Sequence, residues 1–346
     1  MQKPIEEVAK NLYTEENAQK LENYIHERNL YGFQAFARNF YGAMHQIDNK
    51  IGRIKGEHRK VDYSLKDMCN FAFDFYLDFD EELFDTIVST LHKDTTQYHC
   101  AEPTDKGGRN DVGLHLSGEN SKWDKDFLEV NLSPKNSIAG MIQVAHEMAH
   151  ILSEKFQKMK IAKEDCVGEI ESKFIEYAYC DYLLKKGIIS QEDFEEERKK
   201  HNTTLKDEIC TIYQENDFLN ILCEVDKPLT LKSLKEFDHI AKTDERFRDN
   251  YGPIVRRLDD FMKNKERDGS YFFRYVVGEI VGRTLFTEYK KELEKTGAAT
   301  ETISKFKKFL DTNADINLEQ AAKTLLGENY MEKISNEFGI ELPKTK

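Results

Sequence analysis

Proline is scarce in this sequence: the 346 residues include 6 prolines and a single tryptophan. Proline interrupts helices, and its average share is about 5%, so its scarcity favours a mostly helical chain. The sequence contains no apolar run of the roughly 18 residues that a transmembrane helix needs. The opening MQKPIEEVAKNLYTEEN has no apolar stretch either. We therefore expect no secretory signal and a cytoplasmic protein, with non-classical export left open.

Positive charge is also in deficit. Lysine and arginine number 51 against 64 aspartate and glutamate residues, which gives a formal charge of -13. An acidic chain without basic clusters binds nucleic-acid phosphates and anionic membrane surfaces poorly, so we expect neither as a partner. The six cysteines form no C-x-x-C pair. Because no such pair and no secretory signal is present, we interpret the six cysteines as reduced thiols in the cytosol.

Hydrophobic periodicity predicts a mainly α protein with one small sheet. Residues 1–105 space their apolar residues by threes and fours, which indicates an N-terminal helical region. Two segments between residues 110 and 133, DVGLHLS and FLEVNLS, alternate with period two and predict a small antiparallel sheet. Helical periodicity returns after Pro134. We therefore distinguish an N-terminal helical region, 1–105, from a catalytic region, 106–346, and expect the two to form one continuous compact unit. Separately, we interpret the charged run QEDFEEERKKHNTTLKDE as a solvated helical face.

The segment IQVAHEMAHIL contains an H-E-x-x-H motif within a helical pattern. Residues four apart share one helix face, so His146 and His150 can present their imidazoles to one metal ion. Glu147 lies about 100° round the helix from His146, within reach of a water on that ion. An apolar stripe along the same helix indicates that it is packed against a core. The alternative interpretation is two hydrogen-bonded histidines at the edge of the core.

A catalytic zinc ion takes three protein ligands and leaves one position open, so a third ligand is expected on a neighbouring helix. Eighteen residues separate His150 from Glu169, enough for a loop and an antiparallel return. On a regular helix Glu171 would point about 200° away from Glu169. We therefore choose Glu169 as the ligand. Glu176 shares its face and is a candidate to orient a ligating histidine, the alternative being a plain surface carboxylate.

With these residues in place, H-E-x-x-H followed by Glu-x-x-Ser-x-x-x-Glu resembles the thimet oligopeptidase and oligoendopeptidase F family of zinc peptidases, which are gluzincins. The segment Tyr271–Glu279 resembles the tyrosine-rich helix of that family, and Lys305–Gly327 its C-terminal closure. The likeness covers about residues 110–336 and resembles a shortened member. It implies a helical zincin-type fold with the small sheet beside the active-site helix, and one Zn²⁺ per chain. It also implies that the Tyr275 hydroxyl assists the tetrahedral intermediate, the alternative being that Tyr275 only packs.

The sequence thus predicts a zinc metalloendopeptidase that acts on peptides or polypeptides, with Glu147 as general base. The alternative is a catalytically inactive helical binding protein that retains a peptidase scaffold. We further hypothesise that the strand around Glu129–Leu132 pairs with an extended substrate. Aromatic segments at residues 31–41 and 71–79 would then form the walls of the cleft.

Overall fold

The computed structural model describes residues 4–27, 43–44, 46–52, 54, 56–115, 125–156, 167–263, 270–311 and 317–341. Within these ranges the protein is mainly helical with one small sheet, which confirms the predicted fold class. The aromatic segment at residues 31–41, for which we hypothesised a cleft wall, lies outside the described residues. No helix of the described ranges is both long enough and apolar enough to cross a bilayer.

The elements of the described residues follow one another along the chain in a simple order. Two N-terminal helices are followed by a helix pair, the three strands, and then the helices that occupy the rest of the chain. Their bounds are α1 Ile5–Leu12, α2 Glu15–Glu27, α3 Leu65–Phe79, α4 Glu81–Leu91, β1 Thr96–Cys100, β2 Asp111–His115, β3 Phe127–Leu132, α5 Ile138–Phe156, α6 Ile170–Lys185, α7 Gln191–Glu224, α8 Leu231–Thr243, α9 Tyr251–Lys263, α10 Ser270–Thr296, α11 Thr300–Leu310, α12 Leu318–Leu326 and α13 Tyr330–Phe338.

The sheet has the strand order β1-β3-β2. The two strands expected from alternation, β2 and β3, pair antiparallel with Val112 opposite Val130. The third strand, β1, runs parallel to β3, so the sheet is mixed rather than purely antiparallel. Its sequence, TQYHC, is polar and mostly exposed, so it lacks the half-buried alternation that would have predicted a strand.

The central position of β3 corrects our hypothesis for substrate pairing. Residues Glu129–Leu132 already pair with β1 on one side and with β2 on the other. A strand with two neighbours has no free backbone groups for a peptide to bind. The edges of this sheet are β1 and β2.

Two hydrophobic cores hold the helices together. The main core joins α3, α4, β3, α5, α6 and α10–α13, and includes Phe75, Met141 and Phe174. A second core joins α1 and α2 to the end of α7 and to α8 and α9, and includes Leu21 and Phe237. The first two helices therefore pack against residues from the later part of the chain, whereas α3 and α4 belong to the main core. The proposed division at residue 105 stays a prediction.

Candidate metal centre

Helix α5 positions the two histidines of the motif on one face, where that face leaves the main core. Ala145 and Ala149 are fully buried, and each is adjacent to one of the histidines. The Nε2 atoms of His146 and His150 lie 3.1 Å apart, and the two rings are nearly perpendicular at 89°. The four-residue spacing along the helix thus brings two imidazole nitrogens close enough to face one metal ion.

Glu169 comes to the same point from the neighbouring helix. It stands immediately before α6 and is 4% exposed. Its Oε2 atom lies 3.5 Å from Nε2 of His146 and 3.7 Å from Nε2 of His150. The hydroxyl of Ser172 donates to that same oxygen at 3.0 Å, which holds the carboxylate in place. Three potential ligand atoms therefore form a triangle with edges of 3.1–3.7 Å.

This triangle can be compared with the dimensions of a metal site. Bonds of about 2.0–2.1 Å around a tetrahedral ion place its ligand atoms about 3.3–3.4 Å apart. The three measured edges lie on either side of that separation. Two imidazole nitrogens and a carboxylate oxygen are also a donor set that divalent transition metals and zinc accept. His146, His150 and Glu169 therefore fit a divalent ion.

Each histidine has a carboxylate behind it. His146 Nδ1 lies 2.6 Å from Oε1 of Glu176, and His150 Nδ1 lies 3.2 Å from Oε1 of Glu171. Both carboxylates are buried, with exposures of 7% and 1%. A hydrogen bond at Nδ1 leaves Nε2 as the nitrogen free to bind a metal, and it fixes the orientation of the ring. The structure thus places Glu176 where the sequence suggested.

Sequence reasoning missed Glu171 because it treated Glu169 as helical. The backbone of Glu169 has φ -124° and ψ 1°, so this residue precedes the helix and the helical angle between the two carboxylates does not apply. Glu171 turns toward His150, which lies one turn further along α5 than His146. The signal available was that a second ligating histidine also needs an orienting partner.

The charges around the centre favour a bound cation. Burial alone would lower the pKa of His150, but the hydrogen bond with Glu171 and the charges of Glu169 and Glu171 outweigh it and raise the pKa to about 9. Burial also favours the neutral form of Glu176. The charge of Lys173 and the hydrogen bond with His146 outweigh that effect and hold the pKa of this carboxyl well below its usual range. The acidic groups thus stabilise positive charge at His150, and Glu176 stays ionised beside His146.

Glu147 borders the triangle. It is 3% exposed, and its carboxylate and the ring nitrogens of His146 and His150 lie within 4.8 Å of one another. The side-chain amide of Gln143, one turn earlier on α5, donates to Oε1 of Glu147 at 2.6 Å. This contact orients the carboxylate beside the two imidazoles.

Tyr275 connects to the centre through a residue that the sequence did not single out. Arg274 Nε lies 3.6 Å from Oε1 of Glu169, and Arg274 Nη2 donates to the Tyr275 hydroxyl at 3.0 Å. The guanidinium also lies over the Tyr275 ring, 5.0 Å from its centroid. Arg274 thus joins the predicted oxyanion donor to the third ligand candidate. Its only signal in the sequence is a lone positive charge in the aromatic segment that begins α10.

A buried polar network extends from Glu176 into α7. Nδ1 of His201 lies 3.5 Å from Oε2 of Glu176 and 3.5 Å from Oε2 of Glu279. Lys173 Nζ lies 3.2 Å from Oε1 of Glu176 and supplies positive charge there. These groups extend the polar surroundings of Glu176, the carboxylate that contacts His146.

The charged run of α7 has the solvated face that we predicted, with Glu192, Glu195 and Arg198 exposed, but it also has a buried side that we did not predict. Asp193, Glu197 and Lys200 are 6%, 2% and 7% exposed. Glu197 lies 2.8 Å from the ring of His58 and Lys200 donates to the carbonyl of Glu57, so partners elsewhere in the chain bury these charges. Such long-range pairing leaves no mark in a local charge pattern.

Comparisons with known proteins give two structural likenesses. No family model and no curated protein matches the chain. A crystal structure of a protein assigned as an oligoendopeptidase F from Bacillus anthracis str. Ames is 12% identical, with a TM-score of 0.45, over 82% of this chain and 47% of that one. A 3.1 Å X-ray structure of another protein assigned as an oligoendopeptidase F is 11% identical, with a TM-score of 0.45, over 91% of this chain and 57% of that one. The chain thus spans about half the length of the structures it resembles.

Proposed function

We propose that this chain is a zinc-dependent metallopeptidase that hydrolyses peptide bonds, with zinc held by His146, His150 and Glu169. The observation that carries the proposal is the triangle of 3.1–3.7 Å between Nε2, Nε2 and Oε2, formed by residues of α5 and of the segment entering α6. Three protein ligands would leave a fourth position for water or substrate, which distinguishes a catalytic zinc site from a structural one.

When bound, zinc supplies Lewis acidity, which lowers the pKa of water from 15.7 toward about 7 and polarises the scissile carbonyl. Glu171 and Glu176 contact Nδ1 of the two imidazoles, which would leave Nε2 of each histidine to hold the zinc. The remaining chemistry requires a base, a proton donor for the leaving amine and a donor for the developing oxyanion.

Glu147 is the base in this proposal. Its carboxylate lies beside the ligand atoms, where it can take a proton from the attacking water and then pass it to the leaving nitrogen. The hydrogen bond from Gln143 orients the carboxylate before the substrate arrives. Positioned general bases contribute about 10²–10⁴-fold to rate.

Tyr275 and Arg274 are the candidates for the oxyanion. The phenol is a neutral donor at pH 7. Arg274 donates to its hydroxyl through Nη2 and faces Glu169 through Nε. Preorganised donors of this kind stabilise charge that develops only in the transition state.

The decisive experiment measures zinc content and peptide hydrolysis together. We expect the wild type to hold one zinc per chain by mass spectrometry and to cleave members of a quenched peptide library. Glu147→Gln should keep the zinc and lose at least about a hundredfold in rate, because it removes the base and leaves the ligands intact. Glu16→Gln, at an exposed carboxylate on α2, is the matched control and should behave as the wild type.

Two results would contradict the proposal. Full activity of Glu147→Gln would remove Glu147 from the mechanism. A zinc-loaded wild type that cleaves no peptide of the library would support a binding protein with an inactive site.

A further inference from the structure

An apolar cavity of about 290 Å³ lies between the sheet and helices α3, α4 and α5. Tyr98, Val130 and Val112 lie side by side in the strand register and contribute one face of the sheet to its wall. Glu147 belongs to the same lining. The cavity therefore adjoins the proposed general base, and none of the three ligand candidates lines it.

Four polar side chains of the cavity wall are either bonded to backbone carbonyls or uncharged. The Tyr98 hydroxyl donates to the carbonyl of Leu91, and the His92 ring bonds the carbonyl of Val88 at 2.8 Å. Burial raises the pKa of the Cys69 thiol to about 11 and raises that of Cys100, so both stay uncharged at neutral pH. Apart from the Glu147 carboxylate, the wall thus offers mostly carbon and thiol surface, which suits an apolar occupant.

The size of the cavity selects a large side chain. An apolar cavity of about 150 Å³ accommodates benzene. At about 290 Å³, this cavity accommodates the ring of phenylalanine or the larger indole. Tyr98 is 51% exposed, so the wall reaches the protein surface and the cavity is not sealed.

The direction of proton transfer decides which substrate residue lies here. Glu147 must come within about 2.6–3.2 Å of the leaving nitrogen to protonate it. The residue that carries that nitrogen has its Cα one bond further on, so its side chain begins next to Glu147. On α5, Met148 and Ile151 line the cavity together with Glu147, whereas His146 and His150 lie against Glu176 and Glu171.

We propose that this cavity binds the side chain of the substrate residue immediately after the scissile bond, and that it selects a large apolar or aromatic one. The inference rests on the proposed peptidase function and adds a substrate class to it. Cys100 on β1 and Val88 on α4 line different walls of the cavity, so they allow the cavity to be narrowed from two directions.

The test compares two peptides that differ only in the residue after the cleaved bond, phenylalanine in one and alanine in the other. We expect the wild type to favour phenylalanine at least tenfold in kcat/KM, the lower range of discrimination that an apolar pocket provides. Cys100→Trp should reduce that ratio at least tenfold without loss of zinc, because the indole would occupy the cavity. Val88→Trp should act in the same way and replaces Cys100→Trp if that variant does not fold.

Leu77→Trp is the matched control, since Leu77 is a 49% exposed residue of α3 outside the cavity lining. It should leave the ratio unchanged. If both peptides are cleaved and neither cavity variant alters the ratio, the inference is overturned and the peptidase proposal stands. If the zinc-loaded wild type cleaves neither peptide, the peptidase proposal fails and the inference fails with it.

Discussion

Gly278 of α10 lies against Glu169, so that a Cβ at this glycine would come 2.7 Å from the Cβ of Glu169 and 2.7 Å from its carbonyl oxygen. One turn later a Cβ at Gly282 would come 2.8 Å from the backbone nitrogen of Phe174. These separations are shorter than van der Waals contact. Two glycines therefore let α10 approach the start of α6 closely, and this approach holds the third ligand candidate in position.

Gly278→Ala should push Glu169 away from the histidines. We expect weaker zinc binding and a loss of about 1–3 kcal/mol in the free energy of unfolding, as overpacked sites show. Competition with a chromophoric chelator measures the first and urea denaturation the second. Gly252→Ala is the matched control, because nothing lies within 4 Å of a Cβ at this position of α9. It should be neutral or stabilising by up to about 1 kcal/mol. Wild-type zinc affinity in Gly278→Ala would show that the helices adjust without moving Glu169.

Glu171→Gln tests whether Glu171, which sequence reasoning missed, orients His150 for metal binding. The substitution keeps the size of the side chain but removes the charge that favours the ligating orientation of His150. Loss of such a partner weakens metal binding about 10–100-fold. Glu176→Gln should weaken it to a similar extent through His146. An unchanged zinc dissociation constant in both variants would mean that helix packing alone orients the rings.

Removing the metal should destabilise the protein. The centre gathers the buried carboxylates of Glu147, Glu169, Glu171 and Glu176, and charges buried together repel unless a cation compensates them. Zinc at about 1,000 times its Kd contributes about 4 kcal/mol to folding. A chelator should therefore lower the Tm, zinc should restore it, and magnesium, which prefers an all-oxygen octahedral site, should not.

His150→Ala is the control for that measurement. It removes one ligand candidate, so its Tm should no longer respond to zinc, and it should lose both bound metal and hydrolysis. Full zinc stoichiometry in His150→Ala would exclude His150 as a ligand.

Much of the centre could be predicted from the sequence because its parts are local. The four-residue spacing places His146 and His150 on one face whatever the rest of the fold does. A short return to a second helix indicated Glu169 or Glu171, and the choice of Glu169 depended on a helical angle that does not apply at this residue. Alternation of apolar and polar residues likewise predicted β2 and β3, although β3 is buried along nearly its whole length.

The parts that could not be predicted depend on contacts between distant segments. His201 approaches Glu176 only because α7 packs beside α6, and Arg274 approaches Glu169 only because two glycines of α10 allow close contact. Strand β1 is defined by its pairing with β3, since its own residues are polar and exposed. Local periodicity carries no information about such neighbours. Glu171 was missed for a different reason, because the backbone of Glu169 is not helical.

Tyr275→Phe tests whether the hydroxyl of Tyr275 takes part in catalysis or whether this residue of α10 only packs. The hydroxyl lies 3.0 Å from Nη2 of Arg274, and Nε of Arg274 lies 3.6 Å from Oε1 of Glu169. If the hydroxyl donates to the oxyanion, its removal costs about 2.7–4 kcal/mol of transition-state stabilisation, or about a hundredfold or more in kcat, with KM and zinc content little changed. Tyr289→Phe is the matched control, since Tyr289 lies on the same helix and packs against Phe79 and Phe174. Equal kcat in Tyr275→Phe and the wild type would assign Tyr275 to packing and leave the oxyanion to other donors.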